Sequence, residues 1–247
     1  MKYIMIIILV LGSLNFLVAQ NCQEDMLKEF DYYVEKDVTG YKYRTKIYLE
    51  NGLPKTKKVY LKSKLSNTTE FKYDSHKNLV RKIETYNRNE GKINDTTNIK
   101  LTYNDSSLLI QKETYFGIIE SYSDFTKLGK PKLIERTQKF DISPYQEIFE
   151  YDKNGNVIKA ITYTRDLIDK TIVEKATTYF KYDNWCNVIE IHREYIPKKE
   201  FPIHIYGRPP LYEHTYFRYE YNKNGLWTKK HKTVVGEEKL IAKRKYK

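Results

Sequence analysis

The stretch FEYDKNGNVIK, residues 149–159, decides the fold. Phe149 and Tyr151 stand two residues apart, and in a β-strand such side chains point to the same face. Glu150, between them, points to the opposite face. One apolar and one polar face on a short segment are typical of an antiparallel strand that is buried on one side.

This strand is predicted to end at Asp152. A short Asx side chain accepts hydrogen bonds from backbone N–H groups about two residues further along, which starts a turn. Asn154 and Gly155 tolerate the positive φ of tight turns, and we expect Gly155 to adopt it. Because the β-branched pair of NVIK follows, the chain is predicted to return as a second strand.

The same phrase recurs along the chain. Close copies begin FKYD, LTYN, FEYD, FKYD and YEYN, and their second aromatic residues are Tyr73, Tyr103, Tyr151, Tyr182 and Tyr221. These tyrosines are spaced by 30, 48, 31 and 39 residues, and the longest interval predicts a degenerate copy in the segment from residue 122 to 135. Self-similarity at a nearly constant period indicates a repeat architecture, in which each copy is interpreted as one β-hairpin.

The aromatic face of these hairpins needs cover from water. We expect Tyr151 and Tyr182 to be core residues, covered by a second layer or by a rolled wall of the same sheet. The predicted fold class is all-β: an antiparallel meander of β-hairpins, twisted or partly rolled into a single domain. The alternative for the tyrosines is an exposed row that binds carbohydrate or peptide by stacking.

The phrase aromatic-x-Tyr-Asp-x-x-Gly-Asn resembles the YD repeat, also called the RHS repeat. The copy in residues 149–157 matches it at Tyr151, Asp152, Gly155 and Asn156. In the next copy Cys186 replaces the glycine. The resemblance covers the chain from Lys64 onward and implies a meander of β-hairpins. Large members build a shell around a toxic C-terminal domain, but the copies here are few and we expect no such domain after the last one, so neither feature is carried over.

Residues 1–19 have the layout of a secretory signal peptide. Lys2 precedes an almost wholly apolar run from Ile4 to Val18, which is short for a membrane span of about 20 residues. The alternatives are an uncleaved N-terminal anchor and a lipoprotein acylated at Cys22. We therefore expect an exported protein of the periplasm, cell surface or medium, with no membrane span after signal cleavage.

The rest of the chain is predicted to consist of a cap and a repeat domain. Residues 20–40 form an N-terminal cap. The apolar residues between Gln23 and Lys36 recur at helical spacing, so this segment is predicted to be either one short helix or a cap at the N-terminal end of the sheet. Residues 41–247 form the repeat-built β domain, and the closing EEKLIAKRKYK is predicted to be its final strand.

The number of cysteines and the distribution of charge limit the classes of function that the chain can have. Cys22 and Cys186 are too few for a disulfide scaffold, although they could pair in an oxidising compartment. The net charge of +12 is spread along the chain, as on solvated strand faces. Because nucleic-acid binding requires a concentrated basic patch, that class of partner is excluded.

Sequence spacing reveals no catalytic or metal-binding motif. The five histidines are His76, His192, His204, His214 and His231. None has a second His or Cys at metal-binding spacing, and neither a serine-nucleophile motif nor a phosphate-binding loop occurs. Turn formation accounts for the repeated aspartates. We therefore predict no catalytic residue, no metal and no cofactor.

The segment from Tyr195 to Tyr212 interrupts the repeats and contains four of the seven prolines. Because proline cannot donate to a β-ladder, the segment is predicted to be an excursion or a sheet edge. Loops on rigid sheets often carry binding residues, which makes His204, Tyr206 and Arg208 the candidate partner-binding residues. The alternative is a variable surface insertion.

Taken together, these features predict an exported, non-enzymatic interaction or structural module that binds a protein or a glycan. One alternative is an envelope hydrolase with a site between hairpins, and another is an accessory component of an RHS-type toxin system, which the resemblance alone implies. Two close carboxylates or a His–carboxylate pair in a groove would favour the hydrolase. A broad exposed aromatic patch would favour binding.

Overall fold

The computed structural model describes residues 26–39, 43–88, 91–114, 117–138, 145–166, 171–205 and 209–247. In chain order their strands are β1 (Tyr32–Asp37), β2 (Tyr43–Glu50), β3 (Leu53–Leu61), β4 (Lys64–Tyr73), β5 (Leu79–Arg88), β6 (Gly91–Asn98), β7 (Lys100–Tyr103), β8 (Leu109–Glu113), β9 (Ile118–Phe125), β10 (Pro131–Gln138), β11 (Tyr145–Tyr151), β12 (Val157–Arg165), β13 (Ile172–Tyr182), β14 (Val188–Ile196), β15 (His214–Tyr221), β16 (Trp227–Val234) and β17 (Glu237–Tyr246). These 17 strands pair in antiparallel fashion, which confirms the all-β hairpin meander.

The strands group into two compact units. The first contains Lys100–Tyr216, and its strands, from β7 to the start of β15, each pair with the next along the chain. The second contains residues 26–99 and Phe217–Lys247, and there β1 lies between β2 and β17. Hairpin periodicity alone did not reveal this grouping, and the domain boundaries drawn from the sequence stay predictions.

The hairpins of the repeated phrase share one turn. Oδ1 of Asp152 accepts hydrogen bonds from the backbone N–H groups of Asn154 (2.9 Å) and Asn156 (2.8 Å). Gly155 has a φ of +81°, which confirms the predicted conformation. The side-chain oxygen accepts the same two bonds in the turns that begin at Asp74, Asn104, Thr126, Asp183 and Asn222. The turn at Thr126 is the predicted degenerate copy, with a hydroxyl in place of the Asx oxygen.

Tyrosine hydroxyls join consecutive hairpins. Tyr151 donates a hydrogen bond to the carbonyl of Pro131 (2.6 Å), and Tyr182 donates one to the carbonyl of Val157 (2.8 Å). Both acceptors are the first residues of the strands that leave the preceding turn. The second unit contains the same kind of contact between Tyr73 and Pro54 and between Tyr246 and Trp227. The tyrosine of the phrase therefore aligns one hairpin with the hairpin before it.

The core of the first unit lies on the aromatic face of its sheet. The buried cluster consists of Ile134, Phe149, Val157, Ala160 and Phe180. Tyr151 and Tyr182 pack against this cluster but are only half-buried. Their predicted place on the core face is therefore correct, whereas full burial belongs to Phe149 beside them, which is 1% exposed.

The N-terminal helix prediction is wrong for most of the described segment. Only Met26 and Leu27 are helical, and Tyr32–Asp37 forms β1. The run YYV prefers the pleated conformation, and strands on both sides of β1 satisfy its backbone groups. The closing strand is confirmed as β17.

Two further predictions concern the N-terminal segment, namely the pairing of Cys22 with Cys186 and the signal peptide. Cys186 is disulfide-bonded, while the sequence's other cysteine, Cys22, lies outside the described residues. The signal peptide predicted over residues 1–19 also lies outside them. Within the described part of the chain, no helix combines the length and apolar character that crossing a membrane requires.

Candidate functional site

Strand pairing aligns rings on the outer face of the first unit, opposite its core. Tyr179 of β13 pairs with His192 of β14, which in turn pairs with His214 of β15. Phe180, the neighbour of Tyr179, is buried in the core, so alternation turns Tyr179 and its paired histidines outward. Tyr216 lies two residues beyond His214 and shares its face.

These four residues form a continuous stack, which we call the ring row. The ring centroids of Tyr179 and His192 are 5.5 Å apart, and those of His192 and His214 are 4.4 Å apart with planes inclined by only 3°. The His214 and Tyr216 rings follow at 6.0 Å and 5°. Three strands thus present one stack of nearly parallel rings.

Charged side chains line a shallow hollow beside the ring row. Glu190 pairs with Lys181 (2.8 Å), and Glu194 accepts a hydrogen bond from the Tyr179 hydroxyl (3.3 Å). These four residues and His192 line the hollow, which has a volume of about 250 Å³. Hydrogen bonding to Glu190 raises the pKa of Lys181. The pKa of Tyr179 is also raised, mainly by desolvation and to a smaller extent by the charge of Glu194. At neutral pH the ammonium is therefore charged and the phenol is neutral.

His192, Glu213 and His214 form a cluster whose side chains could hold a metal ion. Each offers one ligand atom, and these atoms lie within 4.8 Å of one another. Sequence spacing did not reveal the cluster because the two histidines are 22 residues apart. The pairing register of β14 with β15, which sets them opposite each other, is the signal that could have found them.

A second cluster of charges is buried on the core side of the first unit. Glu120 pairs with Arg136 and with Lys112 (3.0 Å), and it accepts a hydrogen bond from the Tyr122 hydroxyl (2.7 Å). Burial raises the pKa of the Glu120 carboxyl, but Lys112 and Arg136 outweigh burial and bring that pKa below its usual value. Glu120 is therefore an ionised member of a structural ion pair.

Glu147 belongs to the same cluster and is 1% exposed. Its carboxyl oxygens accept no hydrogen bond from the described residues. Burial raises the pKa of Glu147 to about 7, with Arg136 acting to lower it and Glu120 to raise it. A carboxyl with this pKa suits general acid–base chemistry, but the packing around Glu147 shields it from a substrate. Its position is that of a structural group.

The second unit contains histidine–carboxylate pairs of the kind expected for a hydrolase. Glu220 lies 3.2 Å from Nε2 of His231, and Glu238 lies 3.4 Å from Nδ1. Each carboxylate also has a cationic partner, Lys229 or Arg218, at 2.7 Å. Hydrogen bonds from these cations lower the pKa of both carboxyls, which weakens them as bases. The pairs are therefore best described as an ion network on a strand surface.

The residues predicted for partner binding fall in the excursion between β14 and β15. Backbone hydrogen bonds of 2.8 and 2.9 Å between Ile203 and Leu211 close part of this excursion. His204 is exposed, whereas Tyr206 and Arg208 lie outside the described residues. Partner binding by these three residues stays a prediction.

No family model and no curated protein matches the chain. A porin-like protein from Bacteroides uniformis ATCC 8492 aligns with 90% of this chain and 98% of its own, at a TM-score of 0.39 and 11% identity. The TcdB2-TccC3 structure aligns with 84% of this chain and 12% of its own, at a TM-score of 0.36 and 15% identity. At these TM-scores neither likeness bears on family or function, and the YD-repeat resemblance stays a prediction.

Proposed function

We propose that the chain is an exported, non-enzymatic interaction module that binds a protein partner through the ring row. The observation that carries this proposal is that four stacked rings lie on the outer face of β13 to β15, with Tyr216 45% exposed. Tyrosine is enriched at interfaces because its ring gives apolar contact area and its hydroxyl a polar contact.

The orientation of the rings favours a protein over a glycan. A sugar stacks on an open ring face, but neighbouring rings cover the inner faces of this row. The ring edges, with the phenol and imidazole groups, are left for hydrogen bonds. Glu190 and Glu194 beside them favour a partner with basic side chains.

Two features support export to the cell envelope or the secreted space. The sequence has an apolar run with the layout of a signal peptide at residues 4–18. Cys186 is disulfide-bonded, and disulfides persist in oxidising compartments outside the cytoplasm.

The positions of the titratable groups favour a binding function over hydrolysis. The carboxyl with a pKa of about 7, Glu147, is shielded from solvent. The carboxylates beside His231 are held in ion pairs with Lys229 and Arg218. Neither arrangement presents an accessible general base to a substrate.

Partner capture with matched variants tests the proposal. The full chain is immobilised and exposed to envelope extract and culture medium, with proteins and glycans identified in parallel. We expect a saturable protein partner that Tyr216→Ala loses and Tyr163→Ala, on the outer face of β12 but outside the ring row, retains. A partner that both variants retain, a glycan partner, or turnover of an envelope substrate by the purified chain would contradict the proposal.

A further inference from the structure

We propose that His192, Glu213 and His214 bind a divalent first-row transition-metal ion of the zinc class. Imidazole nitrogen and carboxylate oxygen are the ligands that such ions prefer. Two histidines and one glutamate leave a fourth coordination position for water or for a group from another molecule.

The geometry is close to that of a formed site. Zinc–ligand distances of about 2.0–2.2 Å in a tetrahedron place ligand atoms roughly 3.4 Å apart. The three ligand atoms already lie within 4.8 Å of one another, so side-chain rotations without any backbone movement close the site. Glu213 and His214 are exposed, so solvent leaves room for these rotations, although the His214 ring has to give up its stacking on His192 or Tyr216.

The backbone holds the two histidines in place. His192 and His214 are directly paired residues of the β14–β15 ladder, which keeps the two imidazoles next to each other on one face of the sheet. Their rings lie face to face at 4.4 Å, so one ring turns out of the stack when both nitrogen lone pairs point at the same ion. The backbone N–H of Arg193 donates to the carbonyl of Glu213 (2.9 Å), which ties the third ligand to the same ladder. Because the ladder is formed before any ion binds, little ordering is required on binding.

A carboxylate lies near each histidine, just beyond hydrogen-bond distance. Glu190 lies 3.9 Å from Nδ1 of His214, and Glu194 lies 3.9 Å from Nε2 of His192. Metal-bound histidines commonly direct their second nitrogen to a carboxylate, which orients the ring and increases its basicity. Among the described residues that line the adjacent hollow, Lys181 is the one cation. This acidic spot on a chain of net charge +12 favours a cation.

His192 and His214 also belong to the ring row, but ion binding by these residues requires no partner, so its test is made on the chain alone. The full chain, purified without a polyhistidine tag and stripped with a chelator, is titrated with Zn²⁺ by calorimetry and with Co²⁺ by visible absorption. We expect one equivalent of Zn²⁺ and the intense absorption of tetrahedral Co²⁺. His192→Gln and His214→Gln should each weaken binding roughly tenfold or more.

His204→Gln and His231→Gln are the matched controls and should retain the affinity of the unmodified chain. If a histidine variant loses its circular dichroism signal, Glu213→Gln, at a position that precedes β15, provides the readout instead. Absence of saturable binding, or binding that His192→Gln and His214→Gln leave unchanged, would overturn the proposal. Equal loss in a control would overturn it as well.

Discussion

The hydroxyl of Tyr182 donates a hydrogen bond to the backbone carbonyl of Val157, 2.8 Å away. Val157 begins the strand that leaves the turn at Asp152, so the tyrosine of one repeat is anchored on the repeat before it. Asn156 adds a contact between the turn that begins at Asp152 and the turn that begins at Asp183, because its Nδ2 lies 3.8 Å from Sγ of Cys186. Within the phrase, the aspartate shapes its own turn and the tyrosine aligns neighbouring hairpins.

Removing this hydroxyl is expected to destabilise the fold modestly. Tyr182→Phe keeps the ring against the core and loses one part-buried hydrogen bond, which should lower the free energy of unfolding by about 1 kcal/mol. Urea denaturation measures the change. The control is Tyr179→Phe, whose hydroxyl meets Glu194 on the outer face, and it should cost clearly less. Equal losses would show that the hydroxyl of Tyr182 has no special role.

The turn can be tested at Asp152. Asp152→Ala removes the acceptor for the N–H groups of Asn154 and Asn156 and should lower the free energy of unfolding by about 1–2 kcal/mol. Asp152→Asn should cost less, because Asn104 and Asn222 accept the same two backbone bonds in other repeats, and only the bond that Oδ2 accepts from the Asn156 side chain (2.9 Å) is lost. Thermal unfolding of both variants separates the two outcomes, and similar melting temperatures for Ala and Asn would contradict the turn assignment.

Backbone conformation dominates at Gly155. A Cβ there would lie 3.5 Å from Leu128, an ordinary contact, but the φ of +81° is unfavourable for a β-branched residue. Gly155→Val should therefore lower the free energy of unfolding by about 2 kcal/mol. Gly155→Asn should cost less, since asparagine tolerates positive φ. The strain account fails if denaturant titration gives the two variants the same stability.

Glu147 is expected to make stability depend on pH. Its folded-state pKa of about 7 exceeds the reference value of 4.5, so between these values the folded state holds a proton that the unfolded state releases. Stability should therefore fall as pH rises through this window. Glu147→Gln should remove this dependence. The free energy of unfolding of the variant, minus that of the unmodified chain, should therefore be larger at pH 8 than at pH 5 by on the order of 2–3 kcal/mol.

Denaturant unfolding at the two pH values measures this gain. Glu150→Gln, a neighbouring change at a carboxylate that faces solvent and pairs with Lys159, is the control and should leave the pH dependence of stability as it is. A constant stability difference between Glu147→Gln and the unmodified chain at both pH values would contradict the raised pKa.

Hairpins and turns could be predicted because their determinants are local. The alternation at Phe149 and Tyr151 and the Asx oxygen at Asp152 act within a few residues. The turn at Thr126 was harder to recognise, since a hydroxyl replaces the Asx group. The helix prediction failed at β1 because strand partners far along the chain, on β17, override local propensity.

The candidate site depends on register, which the repeats do not specify. His192 and His214 become neighbours only when β14 pairs with β15 at one alignment across a proline-rich excursion. The buried charges have a similar origin. Alternation places Glu147 on the face of Phe149, but its burial depends on packing with Arg136 and Glu120 from other strands.

Site-specific photo-crosslinking tests the central claim, that the ring row is the binding surface, most directly. A photoreactive phenylalanine replaces Tyr216 in one protein and Tyr163 in another, and each is irradiated with envelope extract or culture medium. The account predicts a saturable protein adduct at position 216, competed by unlabelled chain, and none at position 163. Adducts of equal yield at both positions, or an adduct at position 163 alone, would contradict it.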